Sequence, residues 1–229
     1  MKKNYKVLFL GRKNDKYSNQ IYSFLKKKIK TVNVIWSGFY KEKKKSIFFN
    51  KKYDYILCFR SYYILSEKNI SNAKFAAINF HPSTPKYRGF GCQNYAIYNN
   101  ETFLGCTAHL MNKKIDNGPI LDVSKFKVYA HQTLSDMLDK THQIQVLQVK
   151  KIVNSLLFKN ENIEKIIKKL KKNKWGKKFG TKKKLDKFYE IKLGQSKKGI
   201  FNKLRSTILT SNNFRPYILY NKRKFFLNN

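Results

Sequence analysis

The sequence predicts an α/β fold: a Rossmann-like, mostly parallel sheet with helices on both faces, followed by a short C-terminal helix and β-hairpin extension. Three observations carry that expectation. Short apolar runs, Tyr5–Leu10, Val32–Trp36, Tyr55–Phe59 and Phe75–Phe80, each have the length of a buried strand. Helical or loop-like segments separate them. The first run ends at Gly11 and leads through a polar loop to Ile21, Phe24, Leu25 and Ile29, which are apolar at helical spacing. Strand, glycine turn and helix is how a doubly wound sheet begins.

The loop after Gly11 offers Asp15 and Ser18 as helix caps. It contains no GxGxxG, so no dinucleotide site is inferred. A helix start beside Arg12 and Lys13 suits a phosphate about as well as it suits solvent. The Lys41–Lys45 charge run reads as a solvated turn or helix edge, and RSYYILSEKNISNAK as a loop and short helix. Sites in such folds lie beyond the carboxyl ends of strands, which places the Arg60–Leu65 and Asn79–Gly89 loops on one edge of the sheet.

Gly91–Tyr98 reads as a linking helix, Leu104–Met111 as a strand, NKKIDNGP as a turn and Ile120–Tyr129 as another strand. A long helix is expected from Gln132 to about Phe158, with Thr133 and Asp136 as a capping pair. Its apolar faces are Leu134, Met137, Leu138, Val149, Val153, Leu156 and Leu157. Near Asn160 the character changes, and lysines crowd Lys165–Lys187 around Trp175, Gly176 and Gly180. The expected organisation is a core domain over residues 1–160 and an extension over 161–229. In the extension, KLDKFYEIKL reads as a strand, GIFNKLRSTIL as a helix and RPYILYNKRKFFL as a hairpin turning at Asn221–Lys222.

Composition narrows the function classes. The 229 residues are 41% hydrophobic, enough for one sizeable core. No apolar run approaches the roughly 18 residues of a membrane helix. MKKNYKVLFLG is basic then apolar, but the apolar part is short and no small-residue cleavage site follows, so a first strand and a cytoplasmic protein are expected. Cys58, Cys92 and Cys106 form no CxxC pair and indicate neither a disulfide framework nor zinc. Cys58 and Cys106 read as buried inert thiols, and Cys92 has no paired base. The formal charge of +37 attracts polyanions such as nucleic acid, anionic membrane or phosphorylated small molecules. The lysines are dispersed through a chain rich in Lys, Asn and Ile, as an AT-rich genome would produce. Compositional bias therefore ranks first, a phosphate-bearing substrate second and nucleic acid third.

Chemistry concentrates in AAINFHPSTPKYRG and GCTAHLMNKKIDNGP. Asn79 and His81 leave the same face if strand geometry persists to His81. Pro82 restricts His81 to extended backbone. Asp116 lies in a second turn and reaches a neighbouring histidine if the two strands are adjacent. An asparagine amide and an imidazolium can donate to an oxyanion, and an aspartate can take a proton from an attacking amine. Aspartate beside histidine is expected to raise the histidine pKa. Taken singly, each motif is ordinary turn chemistry. His109 reads as a structural, satisfied histidine, and His131 and His142 as surface or packing residues.

Together, NFHPSTPKYRG and IDNGPIL, with Asp116 35 residues after His81, resemble the folate-dependent formyltransferase family. That family includes glycinamide ribonucleotide transformylase, methionyl-tRNA formyltransferase and the N-formyltransferases of nucleotide-linked amino sugars. Its pattern is Asn-x-His-Pro-Ser-x-x-Pro-x-Tyr-Arg-Gly, followed by Gly-x-Thr-x-His and Ile-Asp-x-Gly-Pro-Ile. Here Ser83-Thr84-Pro85 is one residue short.

The resemblance implies a catalytic core and N10-formyltetrahydrofolate as co-substrate, with no metal. By match to the motif, Asn79 and His81 would polarise the formyl carbonyl, and Asp116 would accept the amine proton through a water. The pterin would lie on backbone groups of Tyr62, Tyr63, Ile64 and Leu65 and of Lys114, Ile115 and Asp116. Methionyl-tRNA enzymes carry a sizeable C-terminal barrel, whereas roughly 70 residues follow the core here. The tail looks like the short extension of sugar N-formyltransferases. The expected acceptor is a nucleotide-linked amino sugar, dTDP-linked first, for surface polysaccharide such as lipopolysaccharide O-antigen. Arg12, Lys13, Asp15, Tyr87 and Arg88 are the candidates to grip it. Methionyl-tRNA or glycinamide ribonucleotide is the alternative acceptor. A basic nucleic-acid-binding protein on an inactive core is the reading from a different class. Nucleic acid and membrane are not the expected partners. The C-terminal hairpin either pairs across a homodimer or covers its own core.

Overall fold

The computed structural model describes residues 1–38, 48–192, 194–208 and 215–227. The Lys41–Lys45 run lies outside them. Four strands run parallel to one another: β1 (Lys3–Arg12), β2 (Ile29–Ser37), β3 (Tyr53–Phe59) and β4 (Ala73–His81). Past a two-residue β5 (Arg88–Gly89), β6 (Phe103–Leu110) and β7 (Ile120–Lys127) complete the sheet as antiparallel strands. The order is β2-β1-β3-β4-β6-β7, so β4 is where strand direction reverses. Val7, Leu8, Phe9 and Leu10 of β1 are all at most 1% exposed, as a central parallel strand covered on both faces requires. Each fully buried apolar side chain of this kind contributes about 1.5–3 kcal/mol.

One face of the sheet is covered by α1 (Lys16–Lys28) and by α4 (Leu134–Val153) with its π-helical continuation Asn154–Phe158. Asp15 caps α1 by accepting the Ser18 amide at 2.8 Å, and Lys26, Lys27 and Lys28 sit at its negative end. Thr133 and Asp136 form the expected capping box of α4. The other face packs against Phe48, Phe49, Leu65 and Ile70, the last from the short α2 (Glu67–Ile70). Between β5 and β6, α3 (Cys92–Tyr98) closes the β6–β7 end with Ala96 and Ile97.

The extension contains α5 (Ile163–Lys169), β8 (Phe179–Gly180), α6 (Lys182–Phe188) and α7 (Lys197–Thr207). It ends in β9 (Tyr217–Tyr220) and β10 (Arg223–Phe226), paired antiparallel as expected. Asn221 and Lys222 make that turn with positive φ at both positions, 45° and 62°. One element is corrected. KLDKFYE is a helix, not a strand, because Leu185, Phe188 and Tyr189 are three and four residues apart and Thr181 caps the Lys184 amide. Only Glu190 makes a strand-like bridge, to Tyr217. Asn94 anchors the extension to α3 by donating to Tyr189 and to the Ser206 carbonyl.

Candidate active site

β4 stays extended through His81, so Asn79 and His81 do leave one face, opposite to Ile78 and Phe80 in the core. Pairing with β6 sets Asn79 against His109 and His81 against Thr107. The adjacency that the sequence left open is thus made by the antiparallel β4–β6 pair. The turn between β6 and β7 then returns Asp116, at φ 47°, to the same place. Gly118 lets that turn approach closely, since a Cβ there would lie 1.8 Å from the Leu110 carbonyl oxygen.

Four side chains form one connected cluster. His81 Nδ1 is 3.2 Å from Asp116 Oδ2, which also accepts the Gly89 amide at 2.9 Å. Asn79 Nδ2 is 3.4 Å from Asp116 Oδ1 and 3.1 Å from His109 Nε2. His109 Nδ1 donates to the Leu110 carbonyl at 2.8 Å. That bond leaves His109 Nε2 as the acceptor and orients the Asn79 amide toward it. His109, expected to be structural, is buried and satisfied, and its Nε2 is part of the cluster. The register opposite Asn79 was the signal that could have found it.

His81 Nε2 donates to the Tyr87 carbonyl at 2.7 Å. Burial draws the His81 pKa below the ordinary imidazole value, against Asp116 and the Tyr87 carbonyl, which push it up. The expectation of a raised pKa is therefore corrected: Asp116 acts in that direction, but burial outweighs it. Burial also opposes ionisation of Asp116, yet His81 and the Gly89 amide hold its carboxyl at about 2. With Nε2 donating to Tyr87, Nδ1 bonds to Asp116 only when the ring is protonated. A proton reaching this pair finds a hydrogen bond already laid out for it.

Arg88 braces the Asp116 turn rather than reaching outward. Its guanidinium donates to the carbonyls of Asp116 at 2.6 Å, Ile115 at 3.2 Å and Gly176 at 3.3 Å. Trp175 rests edge-on against both histidines, with ring centroids 4.9 Å from His109 and 5.8 Å from His81. Its Nε1 donates to the Gly118 carbonyl at 2.7 Å. Sequence reasoning assigned no role to this residue; a lone tryptophan beside Gly176 in a lysine-rich stretch was the available clue.

The remaining candidates divide. The Tyr87 hydroxyl bonds to Glu101 and Asn99, away from the cluster. Arg12 stacks on the Tyr62 ring at 4.5 Å and donates to the Arg60 carbonyl. Lys13 is exposed. Asp15 is engaged as the α1 cap and pairs with Arg60 at 3.3 Å. Arg60 itself sits in left-handed backbone at φ 54°, its pKa lowered to about 10 by burial and by Arg12.

β3 neighbours β4, so the loop of Tyr62, Tyr63, Ile64 and Leu65 leaves the sheet beside the cluster. Ser37 Oγ pins that loop by accepting the Tyr62 amide at 2.9 Å. Tyr62, Ile64 and Ile115 are exposed apolar side chains, while Leu65 is buried and Lys114 is exposed, its amide bonded to Asn112. Exposed apolar groups on two pinned loops beside a polar cluster fit a flat heteroaromatic ring. Cys58 and Cys92 are buried, which pushes both thiols up to about 12. Among the described residues, no group of three or more His, Cys, Asp or Glu could hold a metal ion, and no helix is long and apolar enough to cross a membrane.

Comparisons with known proteins bear on the family and the fold. The bifunctional polymyxin resistance protein ArnA of Wigglesworthia glossinidia brevipalpis is 32% identical over 136 residues, covering 59% of this chain and 19% of that protein. The chain spans 19% to 34% of the length of the curated relatives it first matches. Among solved structures, a sugar N-formyltransferase from Shewanella sp FDAARGOS_354 superposes with a TM-score of 0.75 at 18% identity, covering 97% of this chain and 96% of that one. An N-formyltransferase from Helicobacter canadensis, solved with folinic acid and dTDP-3-aminofucose, superposes with a TM-score of 0.69 at 19% identity, covering 96% and 85%. These likenesses establish the Rossmann-like fold. The family model described as formyl transferase matches residues 12–153, more than half of the sequence and all four clustered side chains, so the chain belongs to the formyl transferase family.

Proposed function

We propose that the protein moves a formyl group from N10-formyltetrahydrofolate to the amine of a nucleotide-linked amino sugar, dTDP-linked first, in the synthesis of a surface polysaccharide. The observation that carries the chemistry is Asp116 reaching His81 with one oxygen and Asn79 with the other, at 3.2 and 3.4 Å. The amine attacks the formyl carbon, and negative charge develops on the carbonyl oxygen. Asn79 is the freer donor to that oxygen, because its bond to Asp116 is long. His81 joins it by turning from the Tyr87 carbonyl. The amine proton passes to the Asp116–His81 pair, directly or through a water. It returns to N10 as the carbon–nitrogen bond breaks, which balances the transfer.

Residues 1–160 are assigned to the catalytic domain and 161–229 to a C-terminal extension. The Tyr62–Leu65 and Lys114–Ile115 loops are assigned to the pterin. Arg12 and Lys13 are assigned to the acceptor phosphates, at the start of α1. The sugar acceptor is supported by likeness along nearly the whole chain to sugar N-formyltransferases. Methionyl-tRNA is the alternative, favoured by the charge and by likeness over part of the chain to methionyl-tRNA formyltransferases.

The test is a panel of dTDP- and GDP-amino sugars beside initiator methionyl-tRNA, all with formyltetrahydrofolate supplied. Formylation of a sugar amine is expected. Formylation of the tRNA with no sugar turnover would overturn the acceptor, and consumption of no donor with any amine would overturn the activity.

A further inference from the structure

We infer that Trp175, carried by the segment after the long helix, is a positioning residue for formyl transfer: it holds the His81 and His109 rings edge-on and keeps water from the Asp116–His81 pair. This rests on the proposed function for its catalytic meaning and on geometry alone for its structural part.

Trp175 touches both imidazoles and is tied to the turn that carries Asp116 through the Gly118 carbonyl. It therefore spans the two loops from which the cluster is assembled. Its own place is fixed from both sides. The Gly176 amide donates to the Pro85 carbonyl at 2.8 Å, and Arg88 donates to the Gly176 carbonyl. Downstream, β8 pairs with β5, setting Phe179 against Arg88 and Gly180 against Gly89. A Cβ on Gly176 would lie 2.1 Å from the Lys86 carbonyl oxygen, so the segment lies directly on the Asn79–Gly89 loop. The positive edge of each imidazole or indole ring favours the T-shaped contacts seen here.

The chemical consequence follows from burial. Desolvation draws the His81 pKa down, helped by His109 and Arg88, and outweighs Asp116 and the Tyr87 carbonyl, which push it up. His81 is 3% exposed with Trp175 in place. Removing the indole admits water, weakens desolvation and frees the histidine rings to rotate. A tryptophan beyond the family-matched span, residues 12–153, thereby becomes part of the catalytic unit.

The experiment compares Trp175→Ala, Trp175→Leu and Trp175→Phe in the full chain, by imidazole NMR titration and by kcat and KM. The protein has only four histidines, so the His81 resonance can be assigned by substitution. In Trp175→Ala the His81 titration moves up toward the ordinary imidazole value, and kcat falls about 10- to 100-fold with KM for the formyl donor nearly unchanged. Trp175→Leu, which keeps bulk without a ring edge, shifts the titration in the same direction. Trp175→Phe retains the parent titration and most of kcat. If the alanine variant does not fold, the leucine–phenylalanine contrast carries the test. An unmoved His81 titration, or equal behaviour of the leucine and phenylalanine variants, overturns the inference. If the titration moves as expected while the parent protein formylates no amine, the proposed function fails and the positioning role stands.

Discussion

At the β4–β6 boundary, Asn79 and His109 face each other across a hydrogen-bonded ladder. Trp175 touches the same imidazoles, yet it arrives on a segment whose only strand is two residues long. The first pair is placed by the register of a six-stranded sheet. The second contact depends on a few anchors: Gly118, Pro85 and Arg88. The contrast separates what the sheet does for the reaction from what the extension adds. Chemistry is built where the backbone is over-determined, and the surroundings are hung on it by contacts that can be removed one at a time.

Breaking the cluster should give the largest effect. Asp116→Asn keeps the shape of the turn but removes the charge proposed to receive the proton. Its turnover should drop by about 10² to 10⁴ with little change in folding, as steady-state kinetics and thermal melting would show. Near-parental turnover would dissolve the distinction, leaving the cluster as mere turn chemistry.

Gly118→Ala tests the join between the regions. The added Cβ meets the Leu110 carbonyl oxygen at 1.8 Å, so the turn must move, and with it both Asp116 and the Trp175 anchor. A loss of about 1–3 kcal/mol in urea unfolding is expected, together with at least a tenfold loss of activity. An unaltered melting curve would mean that the turn tolerates displacement and places nothing.

Away from the cluster, His142 offers a pH test of the α1–α4 face. Burial, and then Arg60, lowers its pKa to about 3, while Gln145 accepts its Nδ1–H and Tyr17 lies 5.7 Å away. A folded-state pKa below the unfolded value means that the unfolded chain binds the proton more readily. Stability is therefore full above about pH 6.5 and is lost as pH falls toward 3. His142→Gln should flatten that decline by at most about 1.4 kcal/mol per pH unit, read from urea midpoints across the window. His81 loses stability in the same direction, and its contribution is common to both proteins. Parallel pH curves for the two proteins would remove His142 as a source of acid sensitivity.

The smallest effect should come from the hairpin. Phe225 and Phe226 are 54% and 55% exposed, so Phe225→Ser with Phe226→Ser should change monomer stability by less than about 0.5 kcal/mol. Sedimentation then sharpens the comparison. A halved mass would show that the hairpin is paired between copies; an unchanged mass would leave it solvated.

Much of this was legible in the sequence because the information is local. Apolar runs such as Val7–Leu10 mark strands, and Asp15 and Thr133 mark helix starts. The motif residues Asn79, His81 and Asp116 were visible because together they resemble a family's motif; singly, each reads as turn chemistry. The role of His109 was missed because it depends on a register that only the β4–β6 pairing sets. The α6 helix was misread although Leu185, Phe188 and Tyr189 have helical spacing, since dense lysines blurred the apolar pattern. Tyr87 was a candidate to grip the acceptor; that Glu101 and Asn99 hold its hydroxyl is a contact between elements that sequence cannot display. The net pull on His81 was misjudged for a similar reason: partners can be guessed from spacing, whereas the depth of burial belongs to the assembled molecule.

The reversal of strand direction at β4 has a consequence in time. Asn79 and His109 lie within the ladder, so their amides should exchange hydrogen slowly, through opening of the sheet itself. Asp116 and Trp175 lie outside that ladder, on segments held by a few anchors, and their amides should exchange sooner. Hydrogen exchange should then divide the cluster into a slow half within the ladder and a faster half on the turn and the extension.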